Sequence, residues 1–151
     1  MGSTRNIHTG IPGRTPLRLV RTPPDLLRIA VRYVSEATVV ELAGELDLAT
    51  AHLLDARLAA LGEYRPPQLV IDVTKLTFCD CSGLGALVRV RNQAVAEGGW
   101  LRLCGVAGLL AKMIKIARIG SALPCYSGVA DAIAGSSPSL RALPPDAVRA
   151  V

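Results

Sequence analysis

The stretch Phe78-Cys79-Asp80-Cys81-Ser82-Gly83-Leu84-Gly85 gathers two thiols, a carboxylate and a hydroxyl into four consecutive positions. The pattern around it puts this stretch after an apolar strand and at the start of a helix. A side chain in the first turn of a helix faces unpaired backbone N–H groups and the positive end of the helix dipole. Such a place favours negative charge, whether a thiolate, a phosphate or a partner's carboxylate. It also has a purely structural use, with Asp80 or Ser82 capping the helix and Cys79 and Cys81 packed as small hydrophobes. A third use is redox chemistry, with Cys81 as the reactive thiol and Cys79 as its resolving partner. The carboxylate between them raises thiol pKa values, and so short a loop strains a disulfide, which both work against it.

Other chemistry lacks its parts. Cys79-Asp80-Cys81 has no second Cys or His pair nearby to complete a tetrahedral zinc site. Ser82, His52 and Asp47 are the residue types of a nucleophilic triad, but Cys81-Ser82-Gly83 is not the G-x-S-x-G elbow. Gly83-Leu84-Gly85 lacks the third glycine of a dinucleotide fingerprint, and no Walker A sequence is present. The reading is of a protein that is not an enzyme and needs neither cofactor nor metal.

The elements that position this turn follow from periodicity. Leu27, Ile29, Val31 and Tyr33 alternate with Arg28, Ala30 and Arg32, which predicts a half-buried strand, and Thr38–Ala43 predicts a second strand one short turn away. Ala49–Leu61 has helical spacing, ended by Gly62 and Pro66-Pro67. Leu69–Val73 is mostly apolar on both faces, the signature of a strand covered on both sides or in the middle of a parallel sheet. A helix is predicted from about Ser82 to the Gly98-Gly99 turn, then a strand over 100–106 and a helix over 109–119. A short strand over 123–126 and a short helix over 129–134 close the series. On the 109–119 helix, Lys112, Lys115 and Arg118 form an outward basic stripe. The order β-β-α-β-α-β-α-β-α implies an α/β domain with a mixed, mostly parallel sheet and an N-terminal antiparallel strand.

The chain has 151 residues, half of them hydrophobic and 19% charged, which is the length and composition of one folded domain. Residues 1–25, rich in Arg and Pro, read as a flexible arm. Residues 26–135 read as the domain, and 136–151 as a second flexible tail. The net charge of +5 is unevenly spread: residues 1–32 hold six arginines and one acid, and the remaining chain has eleven basic and eleven acidic residues. A neutral body argues against direct DNA binding. Only five aromatic residues are present, too few for a single-stranded nucleic-acid platform. No apolar run is long enough to span a bilayer, and the first residues lack a signal peptide's apolar stretch, so the expected location is cytoplasmic.

Two motifs together resemble a known family. Val39-Val40-Glu41-Leu42-Ala43-Gly44-Glu45-Leu46-Asp47, then the central strand, then Phe78 to Gly85, are similar in order and spacing to the STAS domain of bacterial anti-sigma factor antagonists and of sulfate-transporter cytoplasmic tails. The likeness covers about residues 26–135. It implies partner switching in transcription regulation: an unmodified antagonist binds an anti-sigma factor that is itself a serine kinase, and so frees the sigma factor. The kinase phosphorylates the antagonist at the turn and a phosphatase restores it. Carried over to this chain, the resemblance implies a partner-binding surface at Asp47, Asp80, Cys81, Ser82, Gly83 and Leu84, with Arg89, Asn92 and Glu97 along the helix edge.

One position departs from the family's pattern. The usual phosphoacceptor is the first hydroxyl residue after the second Asp, and here that residue is Cys81, with Ser82 next to it. A kinase that transfers phosphate to a hydroxyl finds a thiol a poor substitute, and moving one residue along a helix turns the side chain by about 100°. The expectation is that Cys81 is not phosphorylated and that regulation here is absent or shifted to Ser82. The alternative function is a sensory or scaffold STAS domain, binding a ligand or acting as a thiol-redox switch at Cys81. The sequence leaves open whether the chain pairs with a second copy of itself as a homodimer.

Overall fold

The structure, a computed structural model, describes residues 26–61 and 67–136. The expected arm and the start of the predicted 62–67 helix stop lie outside these residues, as does the tail beyond Ser136. Strand β1 (Leu27–Val34) pairs antiparallel with β2 (Ala37–Leu46), in register from Leu27 opposite Gly44 to Val34 opposite Ala37. The two-residue turn between them bends through Ser35 at φ 54°, the left-handed geometry that suits the twist of a tight hairpin. Helix α1 (Ala51–Ala59) leads to β3 (Gln68–Cys79), and α2 (Cys81–Ala96) leads to β4 (Trp100–Cys104). Helix α3 (Gly108–Ile116), strand β5 (Cys125–Tyr126) and helix α4 (Val129–Ala134) complete the fold. The strands lie in the order β1-β2-β3-β4-β5, with every pairing after the first parallel.

The dual apolarity of β3 has the predicted cause. On one face Leu69, Ile71 and Val73 join Leu54 of α1, Leu87 and Val90 of α2, and Leu110 and Ile114 of α3 in the main core. On the other face Val70 joins Val39, Cys104, Tyr126 and Ala132 of α4 in a smaller core. Each fully buried Leu or Ile contributes about 1.5–3 kcal/mol relative to exposure. Arg102 ties α4 down by donating to the carbonyls of Ala132 (2.8 Å) and Ile133 (3.2 Å) while its guanidinium lies 3.8 Å from the centre of the Trp100 ring.

Three details differ from the sequence reading. Strand β3 runs to Cys79 rather than Val73, because β2 continues beside it through two register shifts, at Glu41/Ala43 and Gly44/Glu45. Pairing with β4 stops at Asp72, so within the sheet the last seven residues of β3 run beside β2 alone. Helix α3 ends at Ile116, and Arg118 lies beyond it at φ 56°, where the Ile119 N–H bonds back to the Ile114 carbonyl. Lys112, Lys115 and Arg118 therefore do not form one helical stripe. Tyr33, expected on the inward face of β1, is 65% exposed near the strand's end.

Candidate functional site

The site is built from two adjacent strand ends. Leu46 of β2 is paired with Cys79 of β3, and the next residue on each strand is an aspartate. The Asp80 N–H donates to the Leu46 carbonyl at 3.3 Å, which stitches the two exits together.

After β2 the chain turns sharply into α1. Asp47 Oδ1 accepts from the N–H groups of Ala49 (2.9 Å) and Thr50 (3.1 Å) and lies 3.2 Å from the Thr50 hydroxyl oxygen. The Thr50 hydroxyl in turn donates to the Glu45 carbonyl at 2.8 Å, and Thr50 is fully buried. Asp47 thus holds the turn that leads into α1. Thr50 was not singled out from sequence, since the bond that buries its hydroxyl goes to a backbone carbonyl five residues away.

After β3, Asp80 is the N-cap of α2, and its Oδ1 accepts from the Gly83 N–H at 2.9 Å. The capping reading of Asp80 is therefore correct, and it uses one of the two carboxylate oxygens. Gly83, expected at the contact face, is buried: a Cβ there would collide with the Leu46 carbonyl and lie 2.8 Å from Cys79 Sγ. Only glycine lets α2 start this close to the end of β2, so Gly83 shapes the turn and offers a partner no side chain.

The two thiols are in opposite environments. Cys79 is buried in the main core, and burial, then the neighbouring Asp80 charge, pushes its thiol up to about 12. Cys81 is exposed, and its Sγ lies 4.0 Å from Met113 Sδ on α3. None of the four cysteines is in a disulfide. A neutral, buried Cys79 is a poor resolving nucleophile, which leaves the redox pair without its second member. Ser82 and Leu84 are half-buried on the first turn of α2, while Arg89, Asn92 and Glu97 are exposed along the same helix. Arg89 reaches Asp55 of α1 at 3.3 Å. His52 is exposed on α1. Among the described residues no group of three or more His, Cys, Asp or Glu could hold a metal ion.

The structure leaves several large apolar side chains exposed. Leu48 is 79% exposed, Ile116 71% and Phe78 43%. Leu48 follows the end of β2 and Phe78 is the next-to-last residue of β3, so both lie at the strand exits that carry Asp47 and Asp80. Exposed large apolar groups rimmed by polar ones mark interaction surfaces.

Comparison with known proteins agrees with this arrangement. Residues 29–124 match the family model described as the Mlab, STAS domain. The chain belongs to the STAS domain family. This STAS domain is 28% identical over 113 residues to a candidate anti-anti-sigma factor of Mycobacterium tuberculosis, across 74% of this chain and 76% of that protein. It is 23% identical over 108 residues to the anti-sigma F factor antagonist of Paenibacillus polymyxa, across 71% and 92% of the two chains. Among solved structures it resembles an anti-sigma factor antagonist from Mycobacterium paratuberculosis, with a TM-score of 0.65 and 26% identity over 76% of this chain and 97% of that one. The α/β fold of the STAS domain is thus established for this chain. No helix among its described residues is long and apolar enough to cross a membrane.

Proposed function

We propose that this STAS domain is an anti-sigma factor antagonist: a non-enzymatic binding module that docks on an anti-sigma factor with serine kinase activity and so releases a sigma factor in the cytoplasm. The observation that carries the reading is the surface at the carboxyl ends of β2 and β3, where exposed Cys81 and the capping Asp80 follow one strand and exposed Leu48 and Phe78 flank the exits. An apolar centre with charged groups at its edge is the usual composition of a specific interface. The names of the relatives support the same reading.

Cys81 stands at the family's acceptor position and is accessible, but it carries no hydroxyl. Ser82 carries one but is half-buried and turned by about 100° around the helix. The antagonist is then held in its binding-competent state and gives a kinase or a phosphatase no substrate at this turn. In a relative with a hydroxyl at this position, a phosphate would add about −1.5 to −2 charge beside the aspartate and weaken docking on a like-charged partner.

Titration of the purified chain against the anti-sigma factor encoded in the same genome tests the reading. Binding that weakens at least tenfold in Phe78→Ser, with the fold intact, is the expected result. No binding to any such factor by the unaltered chain overturns it.

A further inference from the structure

We propose that the outer edge of β1 is an interface between two copies of this chain, which pair their β1 strands antiparallel about a two-fold axis at Val31 and join two five-stranded sheets into one. Strand β1 ends the sheet, and among the described residues no strand pairs with its outer edge. Exposed strand edges present unpaired N–H and C=O groups, and proteins blunt them by keeping them short, bulged or proline-bearing. The sheet's other open edges follow that rule: β5 has two residues, and the far half of β3 runs through the register shifts. β1 does not. It is eight residues long, Leu27–Val34, contains no proline, and pairs with β2 without a bulge.

The hairpin decides which backbone groups reach that edge. The two-residue turn at Ser35 and Glu36 closes on Val34 and Ala37, which in such a turn are a hydrogen-bonded pair. Bonded and non-bonded pairs alternate from there along an antiparallel ladder. Arg32, Ala30 and Arg28 therefore bond towards β2, and Tyr33, Val31, Ile29 and Leu27 direct their N–H and C=O groups outward. The side chains of these same four residues share the main-core face by alternation. Ile29 and Val31 pack there partly buried, while Tyr33 is left 65% exposed.

The sequence of β1 is self-complementary in one register, which is why the occupant is a second copy. With Val31 opposite the second copy's Val31, Tyr33 stands opposite the second copy's Ile29, an aromatic on a β-branched side chain. Ala30 is then opposite the second copy's Arg32 and Arg28 opposite its Val34, so no like charges meet directly. Moving the axis to Ala30 sets Arg28 against the second copy's Arg32, and moving it to Arg32 sets that arginine against itself; both cost like-charge repulsion. Moving it to Ile29 sets Tyr33 opposite position 25, before β1 begins. Arg32 reaches Glu41 at 3.3 Å on the other face of the sheet, clear of the apolar face that the copies would share. Each pair of outward residues exchanges two bonds, about six in all across the axis. A two-fold contact is closed and stops at a dimer. It leaves the carboxyl ends of β2 and β3 open in both copies, at opposite ends of the joined sheet.

The test needs no anti-sigma factor, so its failure leaves the docking proposal standing, and a failure of docking leaves the dimer standing. Sedimentation of the full-length chain over a concentration series should reach twice the mass of one chain. Val31→Pro should remain a single copy, because proline there removes an outward N–H and no bond to β2. A milder pair of variants fixes the register. In a C81S background, Val31→Cys should form a covalent dimer on oxidation with diamide, since paired residues on the axis have Cα atoms about 5.5 Å apart, within disulfide reach. Ala30→Cys in the same background should stay single. Cross-linking of Ala30→Cys as readily as Val31→Cys overturns the proposal, as does a dimer that Val31→Pro leaves intact. A single copy throughout the series also overturns it, and slow amide exchange at Ile29, Val31 and Tyr33 in that monomer assigns the edge to another part of the same chain.

Discussion

Asp80 donates its N–H to the carbonyl of Leu46, the residue that immediately precedes Asp47 on the neighbouring strand. One backbone bond thus fixes the spacing of two carboxylates that lie 33 positions apart in sequence. Asp80 then caps α2 and Asp47 holds the turn that leads into α1, and the surface between them is where docking is proposed.

Gly83 is the closest packed position of this arrangement, facing the Leu46 carbonyl and the Cys79 thiol. Gly83→Ala forces the helix away from β2 and is expected to cost about 1–3 kcal/mol, the range for overpacking. Urea denaturation followed by circular dichroism reads the change. An unaltered midpoint would show that α2 has slack at its start.

Removing the cap separates stability from recognition. Asp80→Ala leaves the Gly83 N–H without its acceptor and is expected to lose about 1 kcal/mol of stability. Asp80→Asn keeps an oxygen there and should lose less than half as much. If Asn preserves stability yet weakens partner binding as strongly as Ala, the charge of Asp80 acts in docking as well as in folding.

The acceptor position can be restored. Cys81 is exposed, so Cys81→Ser should leave stability within about 0.5 kcal/mol, as is usual for surface changes. Incubated with ATP and a kinase-type anti-sigma factor that binds the chain, the serine variant should gain one phosphate at position 81, read by mass spectrometry. The unaltered chain should gain none at Cys81 or Ser82. A phosphate on Ser82 would place control one residue further along.

Much of this architecture was legible in the residues. Periodicity and one mostly apolar run identified all nine elements in order, and that run, Leu69–Val73 with Asp72 inside it, called for cover on both faces, supplied by α1–α3 on one side and α4 on the other. The far half of β3 was not legible because only one edge is paired, and Lys75 and Thr77 there read as loop residues. The end of α3 was misplaced because Ile119 still packs on the core after the helix has stopped at Ile116. At the site, the aspartates and Cys81 were found from local spacing. The contact of Cys81 with Met113 joins residues 32 apart, and no local pattern encodes it.

The thiols set an alkaline limit. Burial pushes Cys79, Cys104 and Cys125 up to about 12. Unfolded thiols ionise near pH 8.5 and the native ones remain neutral, so the unfolded state alone releases protons between these values. Their stabilising contribution is whole below about pH 8.5 and falls as pH rises towards 12, by up to ~1.4 kcal/mol per pH unit for each thiol. Denaturation midpoints should therefore drop steadily above pH 9, and less steeply in Cys125→Ala relative to its own neutral-pH value. At pH 8 a disulfide reagent should titrate one thiol in the native protein and four in denaturant.

The seven residues of β3 beyond the last β4 pairing form a cantilever, clamped at its root by strands on both sides and steadied along its length by one. Amide hydrogens of Lys75, Thr77 and Phe78 should accordingly exchange with solvent well before those of Val70 and Ile71, through openings that leave the core intact. The compliance is concentrated where the two aspartates emerge. The recognition end of the molecule can therefore adjust to what it grips without the rest of the sheet having to yield.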